Sequence, residues 1–292
     1  MPMHKPVLLN EVIKYLDPKP GENFIDCTLG EAGHSLAILE KTKPSGKILG
    51  IDLDEESLKR IPPNARLVLA HGNFRNLKEI AREKDFKPIN GILFDLGISS
   101  WQLEDSGRGF TFKKNEPLNM ILNGSQVVSA DEIINTWPEE ALLKILKDYG
   151  EERFSRRIVQ RIVQQRNLVP IKTTFQLLEI IKRSIPFSKS RRGHLDRVAA
   201  RIFQALKIAV NEETENLIHG LERALEILEN EGRLVVISFH SIEDRIVKKF
   251  FKEQEKEEKV KILTLKPITA GIAEIKLNPR SRSAKLRAAM KI

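Results

Sequence analysis

Four short stretches hold residues whose types and spacing could do chemistry. Phe24-Ile25-Asp26-Cys27-Thr28 runs into Leu29-Gly30-Glu31-Ala32-Gly33-His34-Ser35. Glycines where a strand becomes a helix let the backbone approach a ligand, and the first turn of a helix presents free N–H groups. No Gly-Lys-Ser/Thr follows, which excludes a P-loop, and Gly30 and Gly33 stand outside the frame of a complete dinucleotide fingerprint. The second stretch, Ile48-Leu49-Gly50-Ile51-Asp52, ends in an acid about 20 residues beyond the glycines, where a carboxylate can accept both hydroxyls of a ribose. Asp54 is the alternative acceptor and could instead cap the next helix. The third, His71-Gly72-Asn73-Phe74, offers an aromatic that either stacks on an adenine or fills the core. In the fourth, Phe94-Asp95-Leu96-Gly97-Ile98-Ser99-Ser100-Trp101-Gln102, the acid Asp95 follows apolar residues, a costly place for a carboxylate without a task. A glycine turn plus a strand-end acid predicts an adenosine-type ligand, either NAD or S-adenosylmethionine.

These residues can meet only if the elements that carry them are parallel neighbours. Asn23–Thr28, Lys47–Leu53, Arg66–Ala70 and Gly91–Leu96 read as strands, separated by helices over Val7–Leu16, Ser35–Lys41, Glu55–Arg60 and Leu77–Lys84. That alternation predicts βαβ units and a parallel sheet, whose ligands bind outside the carboxyl ends of the strands. From Phe110 to Lys207 the apolar spacing is helical throughout. A helix over Glu213–Leu228 and a strand over Leu234–Phe239 follow, and Val260–Leu265 and Glu274–Leu277 are the candidate last strands. The expectation is an α/β domain formed by residues 1–109 and 209–292, interrupted by a helical insertion, 110–208.

Composition limits the setting. The chain has 292 residues, with 41% hydrophobic and 30% charged, an ordinary globular balance. A single cysteine, Cys27, excludes an internal disulfide and a Cys-based zinc site, and no metal site is expected. There is no apolar run of the roughly 18–20 residues that would span a bilayer, and no signal-peptide core, so a cytoplasmic protein without a membrane partner is expected. The formal net charge of +9 is regional. Residues 110–208 carry 18 basic and 10 acidic residues, residues 276–292 carry six basic residues and no acid, and the remainder has a net charge of −5. Lys182 to Lys207 alone holds eight basic residues against Asp196. Charge this dense either meets phosphate or forms a solvated helix face.

The chain resembles the MraW/RsmH family in His4-Lys5-Pro6-Val7-Leu8-Leu9, in Asp26-Cys27-Thr28-Leu29-Gly30 through Gly33-His34-Ser35, and in Asp95-Leu96-Gly97-Ile98-Ser99-Ser100. Arg108-Gly109-Phe110, Tyr149-Gly150-Glu151-Glu152-Arg153 and Ile237-Ser238-Phe239-His240-Ser241-Ile242-Glu243-Asp244-Arg245 continue it, so it covers nearly the whole chain. The resemblance implies a class I S-adenosylmethionine-dependent methyltransferase, Rossmann-like, with a mostly parallel seven-stranded sheet and an inserted all-helical domain. It implies S-adenosylmethionine as cofactor and S-adenosylhomocysteine as product. The implied substrate is 16S rRNA within the small ribosomal subunit, methylated on N4 of the cytidine at position 1402 in the decoding centre. Cofactor contacts would fall on Ala32, Gly33, His34, Asp52, Phe74, Asp95 and Gln102. Three positions depart from the family pattern. Ala32 stands where a glycine is usual, which requires a negative φ; Asn119 replaces the acid of Pro-Leu-Asp-Met and is not expected to act as a base; and His194-Leu195-Asp196-Arg197 replaces His-Pro-Ala-Thr.

Methyl transfer is an in-line displacement, so alignment of the reactants supplies much of the rate. Asp95, Ser99, Ser100 and His240 are the candidate catalytic residues: Asp95 would hold the cofactor, and Ser99, Ser100 or nearby carbonyls would receive the amino group. His240 reads either as a general base or as a hydrogen-bonded turn histidine beside Glu243 and Asp244. Phe110, Phe112 and Trp101 are candidates for holding an unstacked base, or core residues. The insertion is the expected RNA reader, through Arg191, Arg192, Arg197, Arg201 and Phe110. The basic stretch from Lys276 either touches RNA or folds back on the sheet, and a homodimer is left open. The competing readings are an NAD-dependent oxidoreductase, a methyltransferase of another nucleic acid or of protein, and a non-catalytic RNA-binding protein with a retained nucleotide pocket.

Overall fold

The computed structural model describes residues 6–122, 128–186 and 192–292, without the side chains of Ser100, Glu104 and Arg192. His4, Lys5 and Arg191 lie outside the described residues. The chain divides into two compact units, one formed by residues 1–97 with 214–292 and the other by 98–213. The junctions therefore fall at Gly97 and Glu213, against 109 and 208 from the sequence, because Ile98, Leu103 and Phe110 already pack into the core of the helical unit.

In the first unit α1 (Leu9–Leu16) leads to β1 (Phe24–Asp26), α2 (Gly33–Lys41), β2 (Ile48–Asp52), α3 (Glu55–Leu58), β3 (Leu67–His71), α4 (Leu77–Glu83) and β4 (Gly91–Asp95). The second unit holds α5 (Ser100–Glu104), α6 (Ala130–Thr136), α7 (Glu139–Asp148), α8 (Ser155–Arg166), α9 (Thr174–Ser184) and α10 (Arg192–Asn211). The chain then returns through α11 (Glu213–Ile227), β5 (Arg233–Ser238), α12 (Ser241–Lys256), β6 (Val260–Ile262), β7 (Ile268–Thr269), α13 (Ile272–Leu277) and β8 (Lys285–Lys291). Among the described residues no helix is long and apolar enough to cross a membrane.

The sheet runs β3-β2-β1-β4-β5-β8-β6, with β7 paired to β8 off that path. The first five strands are parallel, and β8 runs antiparallel between β5 and β6. Along β4 and β5 the side chains alternate between two cores: Ile92, Phe94, Leu234 and Val236 face one, and Leu93, Val235 and Ile237 the other. Both faces are covered, which is why these strands read as continuous apolar runs. Leu77, Leu217, Leu221, Val247 and Phe251 close the first face, and Val12, Leu16, Ile38 and Leu39 the second.

Two expectations about the last strands are corrected. Glu274–Leu277 is part of the helix α13, held by Ile275 N–H to the Gly271 carbonyl and Asn278 N–H to the Glu274 carbonyl. The sheet has eight strands instead of seven, the addition being the two-residue β7, and the strand beside β5 comes from the basic C-terminal stretch. There Leu286, Ala288 and Ala289 are buried, Lys285 and Arg287 reach Asp244, and the Lys291 ammonium donates to the Leu225 and Leu228 carbonyls. At least half of that stretch's charge is thus satisfied internally. Burial would raise the Asp244 carboxyl, but hydrogen bonds and charge from Arg287 and Lys285 outweigh it and hold it below its ordinary value.

Candidate active site

The turn from β1 into α2 is stitched to its neighbours on both sides. Cys27 N–H donates to the Leu93 carbonyl and Leu29 N–H to the Ile51 carbonyl, each at 2.9 Å. Leu29 lies over Gly50, where an added Cβ would come within 2.7 Å of Leu29 Cδ1, so a side chain in the middle of β2 would lift the turn off the sheet. Gly30 takes φ +52°, a left-handed conformation suited to glycine, and its N–H donates to Asp52 Oδ2 at 2.8 Å. Ala32 also has φ +60°, contrary to the negative φ required on sequence grounds. Its conformation is held by its N–H bond to the Leu29 carbonyl and by its own carbonyl, which accepts from Leu36 N–H. An alanine there costs about 1–2 kcal/mol relative to a right-handed residue.

Three carboxylates gather at the carboxyl ends of β1, β2 and β4. Asp52 accepts from Gly30 N–H and, at 2.8 Å, from Asp54 N–H, so it fastens the glycine turn to the end of β2. Asp54 instead caps α3 through Glu56 N–H. Burial is the main influence on Asp52 and, despite the two N–H bonds that favour its charge, pushes its carboxyl up to about 6. Asp26 is buried; it accepts from the Ser35 hydroxyl at 2.7 Å and from Thr28 N–H at 3.2 Å, and burial raises its carboxyl against the Ser35 bond. Asp95 donates its backbone N–H to Thr28 Oγ1 at 2.7 Å, which ties the end of β4 to the same turn. Asp26, Thr28 and Ser35 were not given roles from the sequence, although an acid ending the first strand two residues before a threonine was the available signal.

Asp95 Oδ2 stands 3.5 Å from His34 Nε2, and His34 is buried at the start of α2. Among the described residues, neither His34 ring nitrogen nor Asp95 Oδ1 has a hydrogen-bond partner. Buried polar atoms left unsatisfied are costly, and here they mark where a ligand's polar groups belong. The chemistry of the set discriminates between ligands. Three carboxylates at one edge repel a pyrophosphate, whereas a sulfonium and an ammonium are attracted and ribose hydroxyls can donate to the free lone pairs of Asp52. The donor set therefore fits S-adenosylmethionine and argues against NAD. Phe74 is half-buried and packs edge-on against Phe94, with ring centroids 5.4 Å apart.

A parallel sheet ordered 3-2-1-4-5, an antiparallel strand inserted beside the fifth, and acids at the ends of strands one, two and four define a Rossmann-like class I methyltransferase. The chain belongs to the MraW methylase family, whose profile matches residues 1–292. It is 44% identical over 308 residues to the ribosomal RNA small subunit methyltransferase H of Clostridium botulinum, an alignment that spans 99% of each chain. The proteins of the same name from Heliobacterium mobile and Thermomicrobium roseum are each 44% identical, covering 99% of this chain and 99% and 94% of theirs.

The remaining site residues expected from the sequence have other local partners. His240 caps α12: its Nδ1 accepts from Glu243 N–H, and its Nε2 lies 3.0 Å from Glu243 Oε1. This is the geometry of the turn histidine. Ser99 and Gln102 form a reciprocal capping box on α5, the hydroxyl accepting from Gln102 N–H and Gln102 Oε1 accepting from Ser99 N–H. Ser100 opens the same helix. Asn119 Oδ1 accepts from Ile121 N–H and shapes a turn. Phe110 is buried in the core of the helical unit, Phe112 packs on Phe203, and the Arg108 guanidinium lies over the Trp101 ring.

Among the expected RNA contacts, Arg197 is exposed, and Arg192 lies at the start of α10. Arg201 instead grips Glu152 with Nε and Nη2, and the Glu152 side chain is fully buried. A buried carboxylate needs such a partner, so the local fold claims this arginine.

Proposed function

We propose that this chain transfers a methyl group from S-adenosylmethionine to the N4 amino group of a cytidine in 16S rRNA of the small ribosomal subunit, in the cytoplasm. The observation that carries the reading is the acid-lined sheet edge, with His34 and Asp95 Oδ1 unsatisfied, in a chain 44% identical over 99% of its length to small-subunit rRNA methyltransferases. The cofactor supplies a methyl group activated by its sulfonium. Asp52 would accept ribose hydroxyls while it holds Gly30, and Asp95 and His34 would take the polar groups of the methionine end. The acid trio would favour a cationic donor, and the stitched turn would align it before the nucleophile arrives. Attack by N4 would break the methyl–sulfur bond, leave S-adenosylhomocysteine and make the nitrogen cationic, so that its proton passes readily to water; His240, whose Nδ1 caps α12, is not required as a base.

The test is incubation with labelled S-adenosylmethionine and intact small subunits, naked 16S rRNA or DNA, followed by mapping of the label. Label on a cytidine of the small-subunit rRNA is expected. Label on DNA alone would support the methyltransferase of another nucleic acid, and RNA binding without any transfer would support the non-catalytic binder.

A further inference from the structure

Among its described residues the helical unit carries a basic surface that the local fold does not use. From Arg153 to Arg166 the chain has five arginines and no acid or lysine. Arg166 is structural, donating to the Ile134 and Trp137 carbonyls at 2.8 Å. The other four stand apart from it. Ile158, Val159 and Ile162 turn one face of α8 into the core, while Arg156, Arg157 and Arg161 are exposed on the opposite side. These three form no ion pair among the described residues, and Arg153 lies 4.6 Å over the Phe154 ring just before the helix. Exposed Gln160 and Gln164 alternate with them at helical spacing.

Helix stability does not ask for this arrangement. Arg156 and Arg157 stand in the first turn of α8, at the positive end of the helix dipole, and no acid accompanies them. The first turns of α6 and α7 carry Asp131 and Glu132, and Glu139 and Glu140, the sign that the dipole favours. Arginine in place of lysine provides planar forks that bind phosphate oxygens bidentately, and interleaved glutamines add neutral donors for phosphate and sugar.

Resting on the methyltransferase reading above, we propose that Arg153, Arg156, Arg157 and Arg161 form the phosphate-contacting face of the helical unit, with an RNA backbone as its ligand. The face positions the RNA without reading its bases.

The test uses the full-length protein with Arg156, Arg157 and Arg161 all changed to Gln, or all to Lys, binding naked 16S rRNA across a potassium chloride series. Each lost phosphate contact flattens the log–log salt dependence by about 0.7–0.9, so the Gln variant should lose about 2–3 from the slope while the Lys variant keeps it. S-adenosylmethionine affinity and Tm should match wild type in both variants. An unchanged slope in the Gln variant, while wild type still methylates RNA, overturns the arginine face alone. Weakened binding to intact subunits with unaltered binding to naked rRNA would assign the face to a protein partner and overturn the proposal as well. Absence of any RNA affinity or methyl transfer in wild type would overturn both this face and the function on which it rests.

Discussion

Cofactor binding should release a proton from Asp52, in an amount that the structure sets. Burial lifts its carboxyl to about 6, while a bound ribose donates to the carboxylate and therefore selects the charged form. At pH 5.5 about 0.8 of the free protein carries this proton, and at pH 7.5 less than about 0.05, given a carboxyl near 6. Binding should release those fractions, and the apparent Kd should weaken about 4-fold at pH 5.5 and about 10-fold at pH 5 relative to neutrality. Calorimetry of S-adenosylhomocysteine binding in two buffers with different ionisation heats reads the proton count directly. Asp52→Asn should abolish the release at pH 5.5, and it should weaken binding at pH 7.5 because the amide offers one acceptor oxygen where two were used. Proton release at pH 5.5 that is absent in wild type, or retained in full by Asp52→Asn, would refute the placement of Asp52 against ligand hydroxyls.

The same carboxyl makes the ligand-free protein prefer mild acid. A carboxyl raised in the folded state keeps its proton where the unfolded chain has lost its own, so stability falls as pH rises between about 4 and 6 and is flat above. Through Asp52, lowering the pH from 7 to 5 should therefore add about 1 kcal/mol and raise Tm by about 2–3 °C in a thermal scan; Asp52→Asn should remove that part, while the buried Asp26, raised in the same sense, keeps its own. Arg201→Ala leaves Glu152 buried without its partner and should cost about 3 kcal/mol in urea unfolding; adding Glu152→Gln should recover at least about 1 kcal/mol, and an unaffected midpoint in the single variant would return Arg201 to a surface role. At Ala32, glycine should be more stable than wild type by up to about 1 kcal/mol, strain relief exceeding the cost of greater chain freedom, whereas valine should lose about 2 kcal/mol or more, because a branched side chain resists φ +60°. Phe110→Ala should cost about 3 kcal/mol as a core cavity, measurable by the same unfolding.

Strands β1, β2, β4 and β5 were legible because burial on both faces leaves runs such as Ile92-Leu93-Phe94 and Val235-Val236-Ile237, bounded by turns. The acids that end β2 and β4 were legible for a related reason: a carboxylate directly after such a run is out of place unless the sheet edge uses it. Strand β8 was not legible, since Lys-Leu-Arg-Ala-Ala-Met-Lys lacks β-branched residues and shows its charge first. Its strand state depends on the β5 edge and on Asp244, which takes Lys285 and Arg287. Over the few residues of Glu274–Leu277, alternating and helical spacing cannot be told apart, and a distant contact, Glu274 Oε1 accepting Leu8 N–H, ties down the helix that forms.

Residue types and their local spacing alone determined the α/β class, the helical insertion and the acids at the strand ends, and the motifs carried the resemblance to the family. Tertiary structure alone decided how each charge is used. Asp52 holds a turn, Arg201 neutralises a buried acid, His240 caps a helix, and Arg156, Arg157 and Arg161 of α8 are left to the surface. Spacing along the chain sets which side chains share a face, but whether a charge faces water or a buried partner depends on what residues far away in sequence bring to it.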